Sequence, residues 1–139
     1  PFYGDHIAFF EEIYSREWEY IADLNLVMLR HFTGVLGIGT VVTVASDEGP
    51  LPEDPSRRLA EIVRRAGGDT YLAGAGSRSY LNRSPFDDAG IRVVFQEYEP
   101  VPYPQIFGDF IPALAVADLL FNTGPESLEI IRNGRRTVL

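Results

Sequence analysis

Apolar positions recur at helical spacing over the first quarter of the chain and then give way to a β-branched run, so two kinds of element are written into the pattern. From Asp5 to about Ser15, DHIAFFEEIYS opens on an N-cap candidate and sets Ile7, Phe10, Ile13 and Tyr14 at helical spacing. A short amphipathic helix is predicted. A second helix is predicted from about Glu19 to Leu36, with Ile21, Leu24, Met28, Leu29 and Phe32 on one stripe and Gly37 and Gly39 stopping it. Thr40 to Ala45 is β-branched and nearly free of polar groups, as in a strand covered on both faces, predicted at about 40–46. After the polar turn Ser46 to Pro50, Asp54 or Ser56 caps a helix carrying Leu59, Ile62, Val63 and Ala66, ended by Gly67 and Gly68. Further strands are predicted at about 69–74 and 91–98, separated by Gly74-Ala75-Gly76-Ser77 and a short helical turn through Ser79 to Leu81.

Strand, helix, strand, helix, strand at this spacing reads as two successive βαβ units, hence a parallel sheet with right-handed crossovers. Prolines at 100, 102 and 104 cannot donate to a ladder, so residues 99–105 form an extended loop. Pro112 is placed at the start of a helix bearing Leu114, Ala117, Asp118 and Phe121, closed by Asn122-Thr123-Gly124, and a last helix runs from about Glu126 to Asn133. The fold class expected is α/β, a three-layer Rossmann-like parallel sheet in one domain spanning residues 1–139. Three strands leave exposed edges, so the sheet is expected to be incomplete, with an upstream segment or a second chain supplying a strand. The absent initiator Met agrees with a processed or partial chain.

Composition narrows the chemistry. With 12 basic against 20 acidic side chains the net charge is −8, which repels phosphate backbones and makes nucleic acid a poor partner. The 139 residues hold no Cys, which excludes disulfides, thiolate metal sites and a thiol nucleophile. All the basic residues are Arg, so a Schiff-base or P-loop lysine is excluded as well. No signal peptide or apolar run of membrane-spanning length is visible, and a cytoplasmic protein is expected.

The runs RLAEIVRRAGGDTYLAGAGSRSYL, FDDAGIRVVFQEYEPVPYPQ and FIPALAVADLLFNTG resemble the bacterial WbqC-like family. The matching segments are Ser46, the helix from Ser56, Thr70 to Leu81, Phe86 to Gln96, Pro102 to Gln105 and Ala117 to Gly124, which together cover nearly all of the chain. Two departures are Ala73, where the family usually has Ser, and Ala117, where it usually has Leu. The family's N-terminal strand and His-Gln-Pro-Asn-Tyr motif have no counterpart, so this chain corresponds to the C-terminal portion of the family domain. The resemblance implies a role in O-antigen or other surface-polysaccharide biosynthesis. It further implies an aminoacyl (glycine) or acyl transferase acting on an amino sugar or similar acceptor. The alternative is a non-catalytic ligand-binding or scaffold module of a biosynthetic complex.

In parallel sheets, ligands gather at the carboxyl ends of strands, where helix N-termini aim free N–H groups at a crevice. Three such ends are expected: Ser46 with Asp47, the loop Gly74, Gly76 and Ser77, and Gln96. The Gly74-x-Gly76 loop lacks a third glycine and a lysine, so it matches neither a dinucleotide fingerprint nor a Walker A loop, and no cofactor is assigned. It either admits a phosphate or carboxylate, with Ser77 and Arg78 assisting, or is a tight turn. Asp47 either serves as a general base or is a solvated turn residue. Tyr103 and Gln105, on a loop stiffened by prolines, either hold a sugar or nucleotide edge or connect and cover the core. Asp118 and Asn122, at i and i+4, share a face with Leu114 and Phe121 and either line the crevice or brace neighbouring loops. Asp47, Tyr103 and Asp118 are the catalytic candidates. Ser46, Gly74, Gly76, Ser77, Gln96, Gln105 and Asn122 are the substrate-binding ones. An anion or sugar phosphate is expected between the 74–77 loop and residues 103–105. His6 and His31 have no ligand spacing, so no metal is expected.

Overall fold

A computed structural model describes residues 1–136. In chain order these form helices α1 (Tyr3–Ser15), α2 (Ile21–Val35) and α3 (Pro55–Arg65), strand β1 (Thr70–Gly74), helix α4 (Ser84–Asp88), strand β2 (Arg92–Gln96), and helices α5 (Val116–Thr123) and α6 (Ser127–Asn133), with short 3-10 turns at Ala45–Glu48, Ala75–Ser79 and Gly124–Glu126. The chain divides into two compact units, Pro1–Thr40 with Pro100–Gly134, and Val41–Glu99 with the segment from Arg135. Among the described residues, no helix is long and apolar enough to cross a membrane.

The first unit is helical. Of the stripes predicted for α1 and α2, Phe10 meets Phe32 at 6.3 Å between centroids, whereas Tyr14 and Ile21 are exposed; Phe9 and His31, outside the stripes, stack flat at 3.5 Å. Phe121 of α5 joins the same cluster, 5.3 Å from Phe10 and 5.5 Å from Tyr3. The α5–α6 junction is polar, buried and satisfied. Thr123 donates to the Leu119 carbonyl at 2.8 Å and Ser127 donates to that of Gly124 at 2.7 Å, while the two hydroxyls lie 2.8 Å apart.

The second unit holds the sheet. β1 and β2 pair in parallel, with Thr70 opposite Arg92 and Gly74 opposite Gln96. One face is covered by α3 and α4, where Ala60, Ala73, Phe86, Ile91 and Val93 form a buried cluster and Tyr71 stacks on Phe86 at 5.1 Å. Of the two caps expected for helix α3, Asp54 rather than Ser56 takes the position, its carboxylate accepting from the Arg57 N–H at 2.8 Å. On the other face Leu72 is 57% exposed, so this parallel strand is not covered on both sides.

Three expectations are corrected. Residues 40–44 are not a strand: Val42 and Val44 are half-buried and Val41 and Thr43 exposed, which is strand-like alternation, but the segment has no ladder partner among the described residues and ends in a 3-10 turn. β-branched residues favour extended backbone, whereas pairing needs a second segment. The sheet therefore has two strands rather than three. The molecule is a mixed helix-and-strand protein with a small two-stranded parallel sheet among the described residues, consistent with an α/β class. Finally, Pro112 does not open α5. The helix begins at Val116, and Ala113 takes the left-handed conformation at φ 60°.

Candidate active site

The extended backbone forced by Pro100, Pro102 and Pro104 delivers Tyr103 and Gln105 to the first turn of α5. There the Tyr103 hydroxyl donates to Oδ2 of Asp118 at 2.7 Å, and Gln105 Nε2 donates to the same oxygen at 3.3 Å. Among the described residues no hydrogen bond falls on Oδ1 of Asp118. One carboxylate oxygen is thus held while the other retains its accepting capacity. The first turn of α5 also places the carboxylate where the helix dipole favours negative charge.

Gln105 does more than touch Asp118. Its Oε1 accepts from the Ile111 N–H at 2.8 Å and its Nε2 donates to the Ile111 carbonyl at 3.1 Å, so one amide closes residues 106–111 into a loop. That loop, Tyr3 and a half-buried face of α5 border a cavity of about 360 Å³ lined by Ile106, Phe107, Ile111 and Leu114 together with Gln105, Asp118, Phe121 and Asn122. Asn122 spends an N–H on the carbonyl of Asp118, one helical turn back, at 2.8 Å. The i, i+4 spacing expected from the sequence does put Asp118 and Asn122 on one cavity wall.

Four predicted site residues, Tyr103, Gln105, Asp118 and Asn122, therefore come together in the first unit. A second group meets in the other unit. Gly74 and Gln96 are register partners at the carboxyl ends of β1 and β2, and Ser77 donates to the Gly74 carbonyl at 2.6 Å. Gly76 stands in a 3-10 turn with nothing within 4 Å of the position a β-carbon would take. Arg78, expected to offer a free charge, is already engaged: it bonds Glu97 at 2.8 Å and lies 4.4 Å above the Phe95 ring. No long helix follows β1, so the dipole argument for an anion at this strand end loses its physical basis.

Ser46 and Asp47 sit in the exposed turn at 45–48, where their side chains are 3.5 Å apart. Arg65 anchors this turn by donating to the carbonyls of Glu48 and Pro50. Sequence reasoning missed Tyr3, Ile106, Phe107 and Ile111 as cavity residues. Their signal is legible in hindsight: IF and FI flank a Gly-Asp pair in a connection where polar residues are the norm. Elsewhere in the first unit, burial and the neighbouring His6 lower the His31 pKa below 6.5, and its Nε2 is buried with no hydrogen-bond partner.

No solved structure matches the chain. The uncharacterized protein Rv1507c of Mycobacterium tuberculosis is similar, 34% identical over 114 residues, which are 81% of this chain and 49% of that protein. The chain thus spans about half the length of the curated relative it matches. The WbqC-like protein family matches residues 1–130, a span that contains α1 to α5, both strands and all ten candidate residues, and the chain belongs to that family.

Proposed function

We propose that the chain serves an acyl or aminoacyl transfer, glycine included, that forms an amide on an amine acceptor such as an amino sugar in surface-polysaccharide or related biosynthesis. The observation that supports this reading is the Asp118 carboxylate on the cavity wall, fixed through Oδ2 by Tyr103 and Gln105. An amine attacking an activated carbonyl forms a C–N bond as the bond to the leaving group breaks and the leaving group departs with its electron pair. The nitrogen must then shed a proton. Oδ1 of Asp118 accepts it in this scheme, while the Tyr103 hydroxyl orients the carboxylate and offsets its charge. The strand-end residues Gly74, Gly76, Ser77 and Gln96 are assigned to binding substrate through backbone N–H groups and an amide. Asp47 is kept as an alternative base on the second unit.

The rival reading, a non-catalytic binding or scaffold module, draws support from the amides of Gln105 and Asn122, which are spent on backbone groups as braces. Asp118→Asn separates the two. With activated acyl donors and amine acceptors assayed by mass spectrometry for the amide product, the transferase reading expects a loss of roughly 100-fold or more with folding retained. Unchanged turnover removes Asp118 as the base, whereas absence of amide product from the parent protein with every donor and acceptor favours the module.

A further inference from the structure

The cavity beside Asp118 is lined mainly by apolar side chains that water reaches. Phe107 is 85% exposed, Ile106 63%, Ile111 55% and Leu114 46%, and all four border one space of about 360 Å³. Large apolar groups gathered around a concave site mark the place where a ligand's apolar surface is covered. The polar members offer little to a polyhydroxylated ring. Both N–H groups of the Gln105 amide are taken, by Ile111 and Asp118, and its carbonyl oxygen accepts from Ile111. Asn122 gives one N–H to its own helix. Asp118 Oδ1 and the remaining amide groups of Asn122 are what is left to pair with hydroxyls, fewer than a polyhydroxylated ring would set against the apolar wall, so a sugar ring fits it poorly. The charge that remains is a carboxylate in a chain of net charge −8, which favours a cation and repels carboxylates and phosphates.

From this we infer that the cavity binds an ammonium group carried on an apolar, ring-sized body, with the nitrogen at Asp118 and the body against Phe107, Ile111 and Leu114. This rests on the transferase reading and narrows it, with an apolar amine in place of the amino sugar at this site: the bound ammonium first passes one proton through Asp118 to solvent, which exposes the nitrogen lone pair, and the second proton goes to Asp118 as the amide forms. Phe107 and Leu114 set specificity by contact with the body, and Asp118 sets it by charge. The loop that carries Phe107 is closed by the Gln105–Ile111 pair, so the wall is formed before the ligand arrives.

Titration by calorimetry or NMR with 2-phenylethylamine, glucosamine and phenylacetate tests this without any donor or turnover. The amine is expected to bind at least tenfold more tightly than either comparison compound. Asp118→Asn is expected to abolish the preference for 2-phenylethylamine over phenylacetate. Phe107→Ser, at a position exposed enough to spare the fold, is expected to weaken the amine about fivefold or more. Glucosamine binding as tightly as 2-phenylethylamine overturns the inference, as does an amine affinity indifferent to both substitutions. Asp118-dependent amide formation on glucosamine, with no binding of the apolar amine, sinks the inference and leaves the transferase reading standing. Apolar amine binding that obeys both substitutions, in a protein that forms no amide with any donor, upholds the inference and sinks the transferase.

Discussion

The ring of Phe2 lies over the backbone of Gly124, its Cδ1 2.5 Å from the point a β-carbon would occupy. Phe2 is also tied to the helix before Gly124, since its N–H donates to the Phe121 carbonyl at 2.9 Å. Gly124 has φ 49° and ψ −119°, a conformation that side-chain-bearing residues avoid. Gly124→Ala therefore adds a clash to a backbone penalty, and a loss of about 2–4 kcal/mol in urea unfolding is expected. Phe2→Ala in the same background should recover only the steric part. Full recovery would show that the backbone conformation carries no cost.

The closing helices of this unit were readable because Asn122-Thr123-Gly124 is a stop signal that local geometry obeys. Asp118 and Asn122 were placed on one face by spacing alone, and that too follows from a single helix. What sequence did not disclose is non-local. Thr40 to Ala45 has the residues of a strand, but whether a ladder forms depends on a neighbour that side-chain pattern does not name. The N-terminus of α5 was misplaced because Pro112 satisfies a helix start equally well wherever a turn begins, while the positive φ of Ala113 diverts the backbone before Val116. Tyr3 reaches the cavity across more than a hundred residues of chain, beyond any spacing rule.

Removing the Tyr103 hydroxyl isolates its role at Asp118. Tyr103→Phe keeps the ring packed at 5.3 Å from Phe110 and deletes a hydrogen bond to a carboxylate. Such bonds contribute about 1.5–3 kcal/mol, reduced here by the half-exposed setting, so a stability loss near 1 kcal/mol is expected. Turnover should fall further than stability does. A drop in melting temperature with full turnover would assign Tyr103 to structure alone.

Gln105→Ala is expected to act on the loop rather than on the fold. Without the amide that pairs with Ile111 in both directions, residues 106–111 lose their tie to the extended segment. Hydrogen exchange of this loop should rise at least tenfold, while the buried α5–α6 junction stays protected. Unchanged exchange in the loop would mean that its own packing holds it.

Gly76→Val probes the strand-end loop of the other unit with little risk to folding. Gly76 has open space where a β-carbon would stand and is not among the glycines at positive φ. A stability change within about 0.5 kcal/mol is expected. Loss of substrate binding in this folded variant would place a ligand at the 74–77 loop, and retention would reduce that loop to a tight turn.

Acid should destabilise the protein in two separate windows. The His31 pKa lies below 6.5 because burial, and then His6, disfavour its cation, so the unfolded chain binds the proton more readily than the native one. Stability from this group is complete above pH 6.5 and is lost as pH falls from there towards the lowered native value. Glu61 is lowered from 4.5 to about 2 by hydrogen bonds from Arg64 and then Arg65, so its contribution is present above pH 4.5 and disappears towards pH 2. His31→Phe keeps a flat ring against Phe9 and removes the unpartnered Nε2, so it should abolish the upper window and leave the lower one. Glu61→Gln should do the reverse, because the ion pairs it breaks join Glu61 to Arg64 and Arg65 within α3 and do not involve His31. Unfolding curves measured from pH 7.5 down to pH 2 distinguish the two. An upper window that persists in His31→Phe would move its origin to another group, with His6 the first to substitute.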